Sequence, residues 1–234
     1  MLPPDGAYER LELADNHGCA MDARGVLTCW GEEYGGEMGD LLADTPATRF
    51  LDNAVGGDTT CAIPAGGFVK CWGNDYQGQG DIDGQGPFEY LTAGSQSFCG
   101  VRADATARCW GWQPWVGDER QVRFIVPNEK VCALALDDGA LSCWNGRSPD
   151  KMVEDLPEGE FSKLALGRKW GCALVPDKTV HCFKIDRDPF EDPFPDDNHD
   201  FTEVAAGFDH ACALYSTGVV LCWGGNANGQ LDAP

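Results

Sequence analysis

The chain has 234 residues, with 38 acidic against 17 basic side chains, a formal charge of −21, 12 cysteines, 30 glycines and 14 prolines. Its hydrophobic content of 43%, including 8 tryptophans, can fill the core of one large or two small domains. An acid excess of this size repels polyphosphate and anionic lipid, which disfavours nucleic acid and acidic membranes as partners.

The cysteines reveal a repeat of about forty residues. In chain order they pair as Cys19 with Cys29, Cys61 with Cys71, Cys99 with Cys109, Cys132 with Cys143, Cys172 with Cys182, and Cys212 with Cys222. Ten positions separate each pair except the fourth, where the separation is eleven. Eleven residues before each first cysteine stands Tyr8, Phe50, Phe88, Gln121, Phe161 or Phe201, so an aromatic opens five of the six units. Directly after each second cysteine comes Trp30, Trp72, Trp110, Trp144, Phe183 or Trp223, usually followed by glycine. The recurrence of these aromatics marks them as packing residues between units.

Each unit reads as β structure. In the last one, Phe201 to Ala206 predicts a first strand, and Cys212-Ala213-Leu214 with Val219 to Trp223 predicts a hairpin around Ser216-Thr217-Gly218. Equivalent turns are Asp22-Ala23-Arg24-Gly25, Pro64-Ala65-Gly66-Gly67 and Asp137-Asp138-Gly139. A terminal glycine in a three-residue loop fits a type I turn closed by a bulge. If Asp22 pairs with Val26, Cys19 faces Cys29 in a non-hydrogen-bonded pair, where opposing Cα atoms lie closest. A disulfide across every hairpin follows. The same counting puts Cys19, Met21, Leu27 and Cys29 on one face and Ala20 with Thr28 on the other.

Sheets this short cannot bury a face alone, so they must stack on their neighbours. The expected fold is all-β: a closed propeller of six short blades, each of three or four antiparallel strands with one hairpin disulfide. The domain reading is one propeller over residues 1–234, with repeats starting near 8, 50, 88, 121, 161 and 201. Residues 1–7 are expected to close the ring by completing the short last unit.

Cys212-Ala213-Leu214, Gly218 to Gly224 and Asn226 to Leu231, with His210 ahead, resemble the repeat of the regulator of chromosome condensation propeller family. Cys71 to Gln79 and Cys29-Trp30-Gly31 through Gly36 to Gly39 match the same pattern, which degenerates after the tryptophan in units three to five. The cysteine-bearing form resembles repeats of secreted bacterial members. The eukaryotic relative has seven longer blades, and its exchange activity uses a protruding wedge that has no counterpart here. The resemblance therefore implies a fold and a mode of binding through one propeller face, as in the secreted relative that inhibits β-lactamases, but no particular target.

Zinc knuckles need ligands two to four residues apart, and the spacings of ten and eleven do not fit them. Paired cysteines in this number imply a secreted, periplasmic or cell-surface location. Met1-Leu2-Pro3-Pro4-Asp5 lacks signal-peptide features, and stretches such as Val131 to Leu136 are too short to span a bilayer, so any export signal is expected to be absent from this chain.

The functional reading is a non-catalytic, monomeric recognition module that binds a protein, or a glycan, through loops on one face. The loops where the repeat breaks supply the candidates: Trp112 and Trp115 in unit three, Phe190 and Phe194 in unit five. Tyr34 and Tyr76 join them from units one and two. No catalytic or cofactor residue is assigned. The acid-rich 186–200 segment could hold calcium, although it lacks the glycine and spacing of an EF-hand loop. His17 and His210 hold equivalent positions and read as structural. The alternatives are a carbohydrate-active propeller enzyme, whose Asp-box Asp22 to Trp30 echoes with the wrong spacing, and a purely structural module of a surface protein.

Overall fold

The computed structural model describes residues 7–14, 17–31, 48–82, 84–112, 121–128, 130–144, 156–168, 170–185, 199–207, 210–226 and 231. They form six three-stranded antiparallel sheets, one per repeat, with no helix among them. Sheet one is β1 (Arg10–Leu13), β2 (His17–Met21) and β3 (Leu27–Gly31); sheet two is β4 (Phe50–Gly56), β5 (Thr59–Pro64) and β6 (Lys70–Gly73). Sheet three is β7 (Tyr90–Ala93), β8 (Ser97–Val101) and β9 (Ala107–Gly111); sheet four is β10 (Val122–Pro127), β11 (Val131–Ala135) and β12 (Leu141–Trp144). Sheet five is β13 (Lys163–Leu166), β14 (Trp170–Leu174) and β15 (Val180–Lys184); sheet six is β16 (Phe201–Ala206), β17 (His210–Tyr215) and β18 (Val220–Gly224). The expected three or four strands per blade resolve to three, in the order first, second, third. The sheets belong to two compact units, Met1–Gln121 with Pro127–Glu129, and Val122–Val126 with Lys130–Pro234. Residues 1–6 of the proposed closing segment lie outside the described residues.

The hairpin register is the one the turn chemistry dictates. The Asp22 amide donates to the Val26 carbonyl at 3.0 Å and the Gly25 amide to the Asp22 carbonyl at 2.9 Å. Gly25 has a φ of 79°, which an L side chain rarely adopts. Cys19 then faces Cys29, and the other five pairs face each other in the same way. All six hairpin disulfides are present, with Cα atoms 3.9 to 4.1 Å apart, and no cysteine is free. The spacing of eleven in unit four has a local cause. There the turn is closed by the Ala135 amide on the Ala140 carbonyl, which leaves one more residue in the loop than between Asp22 and Val26.

Packing between sheets follows one rule inside each unit. The disulfide face of one sheet meets the aromatic face of the next. Cys61 and Ile63 of β5 pack with Phe88, Leu91, Phe98 and Trp110 of the third repeat. Cys132 and Cys143 pack with Phe161, Ala173 and Phe183, and Cys172 packs with Phe201, Ala213 and Trp223. Both faces of a middle strand are covered as a result: every residue of β2, β8 and β14 is buried. The tryptophans after the second cysteines are thus packing residues; Trp110 stacks on Phe88 and Phe98 with centroids 5.9 and 6.0 Å away.

The aromatic that opens a repeat has a second duty. The Phe50, Phe88, Phe161 and Phe201 amides donate to the carbonyls of Gly25, Gly67, Gly139 and Lys178, each the left-handed residue of the preceding hairpin turn, at 2.8 to 3.1 Å. Each ring is buried while its own amide fastens successive repeats together. Gln121, which replaces the aromatic in unit four, instead bridges to Thr106 and donates its side-chain amide to the Asp104 carbonyl.

Candidate functional site

The connections after the third strands leave from the end of each sheet opposite its hairpin turn. In sheets two and three this exit is built alike. Gly73 and Gly111, which follow the tryptophans, have φ of 110° and 94° and swing the chain off the strand. The Asn74 amide then donates to the Asp58 carbonyl at 2.9 Å, and the Trp112 amide to the Gln96 carbonyl at 2.8 Å. Each loop is thereby tied to the turn between the first two strands of its own sheet. A Cβ on Gly111 would lie 2.4 Å from the Gln96 oxygen, so the tie requires glycine.

Those two turns are adjacent. A Cβ on Gly56 would lie 2.2 Å from the Gly94 carbonyl oxygen, and one on Gly57 would lie 2.2 Å from the Ser95 oxygen. Tyr76 and Trp112 therefore rise from the same edge of neighbouring sheets. Trp112 is half-buried, and Tyr76 is 91% exposed.

The loop under Tyr76 is held from within. Asp75 Oδ1 accepts the Gly80 amide at 2.6 Å, Asn74 Oδ1 accepts the Tyr76 amide at 2.8 Å, and Gln79 Oε1 accepts the Gln77 amide at 2.8 Å. Gln79 and Ile82 are buried, and Ile82 joins the core between sheets two and three. An aromatic ring thus stands in solvent on a loop whose base is fixed and which also carries the carboxylates of Asp75 and Asp81. Such a ring loses little conformational freedom on binding, and its surroundings favour a cationic group.

Of the sequence-predicted contact residues, the structure places Tyr76 and Trp112 on one edge. Trp115, Phe190, Phe194 and Tyr34 lie outside the described residues, as does most of the acidic 186–200 segment. Among the described residues no group of three His, Cys, Asp or Glu side chains could hold a metal ion. Among the described residues no helix is long and apolar enough to cross a membrane. His17 is buried with Nε2 2.8 Å from Thr60 Oγ1, joining β2 to β5 in a structural hydrogen bond.

Two repeat positions carry structural roles that the sequence reading passed over. Five residues before each first cysteine stand Ala14, Gly56, Gly94, Pro127, Gly167 and Gly207, and in this column Gly56 approaches Gly94, Gly94 approaches Pro127, and Gly167 approaches Gly207. Nine residues before it stand Arg10, Asp52, Tyr90, Arg123, Lys163 and Glu203. There Arg10 pairs with Asp52 at 2.6 Å, and Lys163 pairs with Glu203. Aligning the six units on their cysteines exposes both columns.

The fold class is the RCC1-like β-propeller, built here from three-stranded repeats. Residues 201–230 match the family model for the regulator of chromosome condensation (RCC1) repeat. No curated protein matches the chain by sequence. Among solved structures, the entire ectodomain of the Physcomitrella patens receptor kinase CR4 is similar, with 25% identity and a TM-score of 0.75 over 95% of this chain. This chain spans 62% of that ectodomain. The CRINKLY WD40 ectodomain of the Arabidopsis thaliana receptor kinase ACR4 has 22% identity and a TM-score of 0.73, covering 90% of this chain and 77% of its own. Prp20p of Saccharomyces cerevisiae, described with its binding to Gsp1p and histones, has 17% identity and a TM-score of 0.68 over 92% of this chain and 71% of its own.

Proposed function

We propose that this protein is a non-catalytic recognition module that works outside the cytosol and binds a protein partner through the loops after its third strands. The observation that carries this reading is Tyr76, 91% exposed on a loop pinned by Asn74, Asp75 and Gln79, with Trp112 on the same edge. Six disulfides support an oxidising compartment, and the two similar receptor-kinase ectodomains support the same location. The binding of Gsp1p and histones by Prp20p supports a protein as the partner. A charge of −21 favours a basic partner surface and an on-rate that falls with salt.

Site-specific photo-crosslinking tests the surface. A benzophenone amino acid at position 76 is expected to capture a discrete partner from extracellular material. The same group at Phe68, which is half exposed beside the hairpin turn at the other end of β6, is expected not to. Capture from position 68 alone, or turnover of a glycoside substrate by the purified protein, would overturn the reading.

A further inference from the structure

Sheet one is fastened to sheet two by an unusual set of charges. Arg10 on β1 pairs with Asp52 on β4 at 2.6 Å, and the Asp52 side chain is 1% exposed. Its other oxygen accepts the Leu91 amide of β7 at 2.7 Å, so both carboxylate oxygens are committed. Glu12 lies two residues beyond Arg10 on the same face of β1, opposite the fully buried Cys19. Its carboxylate makes no hydrogen bond or ion pair among the described residues. Arg10, the cation that faces this boundary from β1, is thus paired with Asp52, and Glu12 shares its face as a partly buried carboxyl.

We propose that Glu12, Arg10 and Asp52 form a proton-dependent clasp that holds β1 on sheet two, tight when Glu12 is neutral and loosened when it ionises. Burial, with Asp52 adding to it against Arg10, pushes the Glu12 carboxyl up to about 7. Burial also raises the Asp52 carboxyl, against the Leu91 amide and Arg10, so the Arg10–Asp52 pair itself is lost in more acidic solution. On β2, His17 is engaged with Thr60; on β7, Tyr90 stays neutral, pushed up to about 12 by burial and by the Asp52 charge. A carboxyl whose folded value lies above its unfolded value favours the folded form at low pH and loses that contribution as pH rises through the folded value. For a protein read as working outside the cytosol, this makes the docking of β1 responsive to the pH of its surroundings.

Hydrogen exchange of the β1 amides, corrected for intrinsic base catalysis, reads the clasp directly. In the wild type the opening constant of β1 is expected to rise by about ten- to a hundredfold between pH 5 and pH 8. In Glu12→Gln it is expected to stay flat, with β1 at pH 8 as protected as in the wild type at pH 5. An Asp52→Asn variant should reduce the wild-type rise, because it removes the Asp52 charge and frees Arg10 to offset the Glu12 carboxylate. An equal rise in the wild type and in Glu12→Gln would overturn the proposal, as would a β1 that opens more at pH 5 than at pH 8.

Discussion

Asp52 Oδ2 accepts the backbone amide of Leu91 at 2.7 Å while Oδ1 holds Arg10, so one buried side chain of sheet two touches both neighbouring sheets. Replacing it with alanine leaves a buried amide unsatisfied and a guanidinium unpaired. Since Arg10 keeps 40% of its side chain in solvent, the cost falls below that of a fully buried pair, at about 2 to 3 kcal/mol. Urea unfolding of Asp52→Ala checks this, with Asp52→Asn losing less because the amide oxygen still accepts from Leu91.

The close approach of first strands makes a steric prediction. A Cβ on Gly94 would lie 2.1 Å from the Pro127 oxygen and 2.7 Å from Asn128 Cα, and backbone on both sides cannot yield as a side chain would. Gly94→Ala is expected to destabilise by about 2 kcal/mol or more through overpacking. Gly66→Ala is the control: its Cβ would meet Phe68 Cδ2 at 3.8 Å, so the melting temperature should barely move.

The turn aspartates set the acid side of the stability profile. Side-chain and backbone hydrogen bonds from Thr106 and Thr179 hold the Asp104 and Asp177 carboxyls below the ordinary 3.8, and the Val26 amide does the same for Asp22. For a lowered carboxyl the stabilisation is present above the unfolded value and is lost as pH falls through the folded one. Glu12 acts in the opposite sense above it. Stability is therefore expected to peak on the acid side of neutrality, between these two limits. Thermal scans from pH 3 to pH 9 check the position of the peak, and Glu12→Gln should extend the plateau toward alkaline pH.

Reduction should proceed in order of access to the sulfurs. Cys132 and Cys143 are both 0% exposed, whereas Cys212 and Cys222 are both partly exposed. Mass-resolved alkylation during titration with a thiol is expected to find the Cys212–Cys222 bridge opened first and Cys132–Cys143 last. Breaking one ten-residue bridge by paired serine substitution should cost about 2 to 3 kcal/mol on the chain-entropy account.

Particular residues show why the hairpins were legible in the sequence and the inter-sheet contacts were not. Asp22, Gly25 and the pair Cys19 and Cys29 encode turn, bulge and register within eleven positions, so local chemistry determines the pairing. Trp110 and Trp223 were readable as packing residues because the same column recurs after every second cysteine. Gly94 gives no local sign that Pro127 crowds it, since the partner is 33 residues away and belongs to the next repeat. Arg10 and Asp52 are likewise distant in sequence, and alternation on one strand does not reveal an ion pair between strands of different sheets. At the candidate site, Tyr76 was readable as an aromatic in the loop of unit two, but its fixed base depends on the Asn74, Asp75 and Gln79 hydrogen bonds.

The central claim is that a protein partner is held on the loop edge bearing Tyr76 and Trp112. The most direct measurement is the dissociation constant of the partner captured by the position-76 crosslinker, with the wild type, Tyr76→Ala and Phe68→Ala compared at fixed salt. Loss of an exposed aromatic anchor from a preformed loop is expected to weaken binding by about tenfold or more. Phe68→Ala should bind as the wild type does. Unchanged affinity in Tyr76→Ala, or a loss confined to Phe68→Ala, would contradict the account.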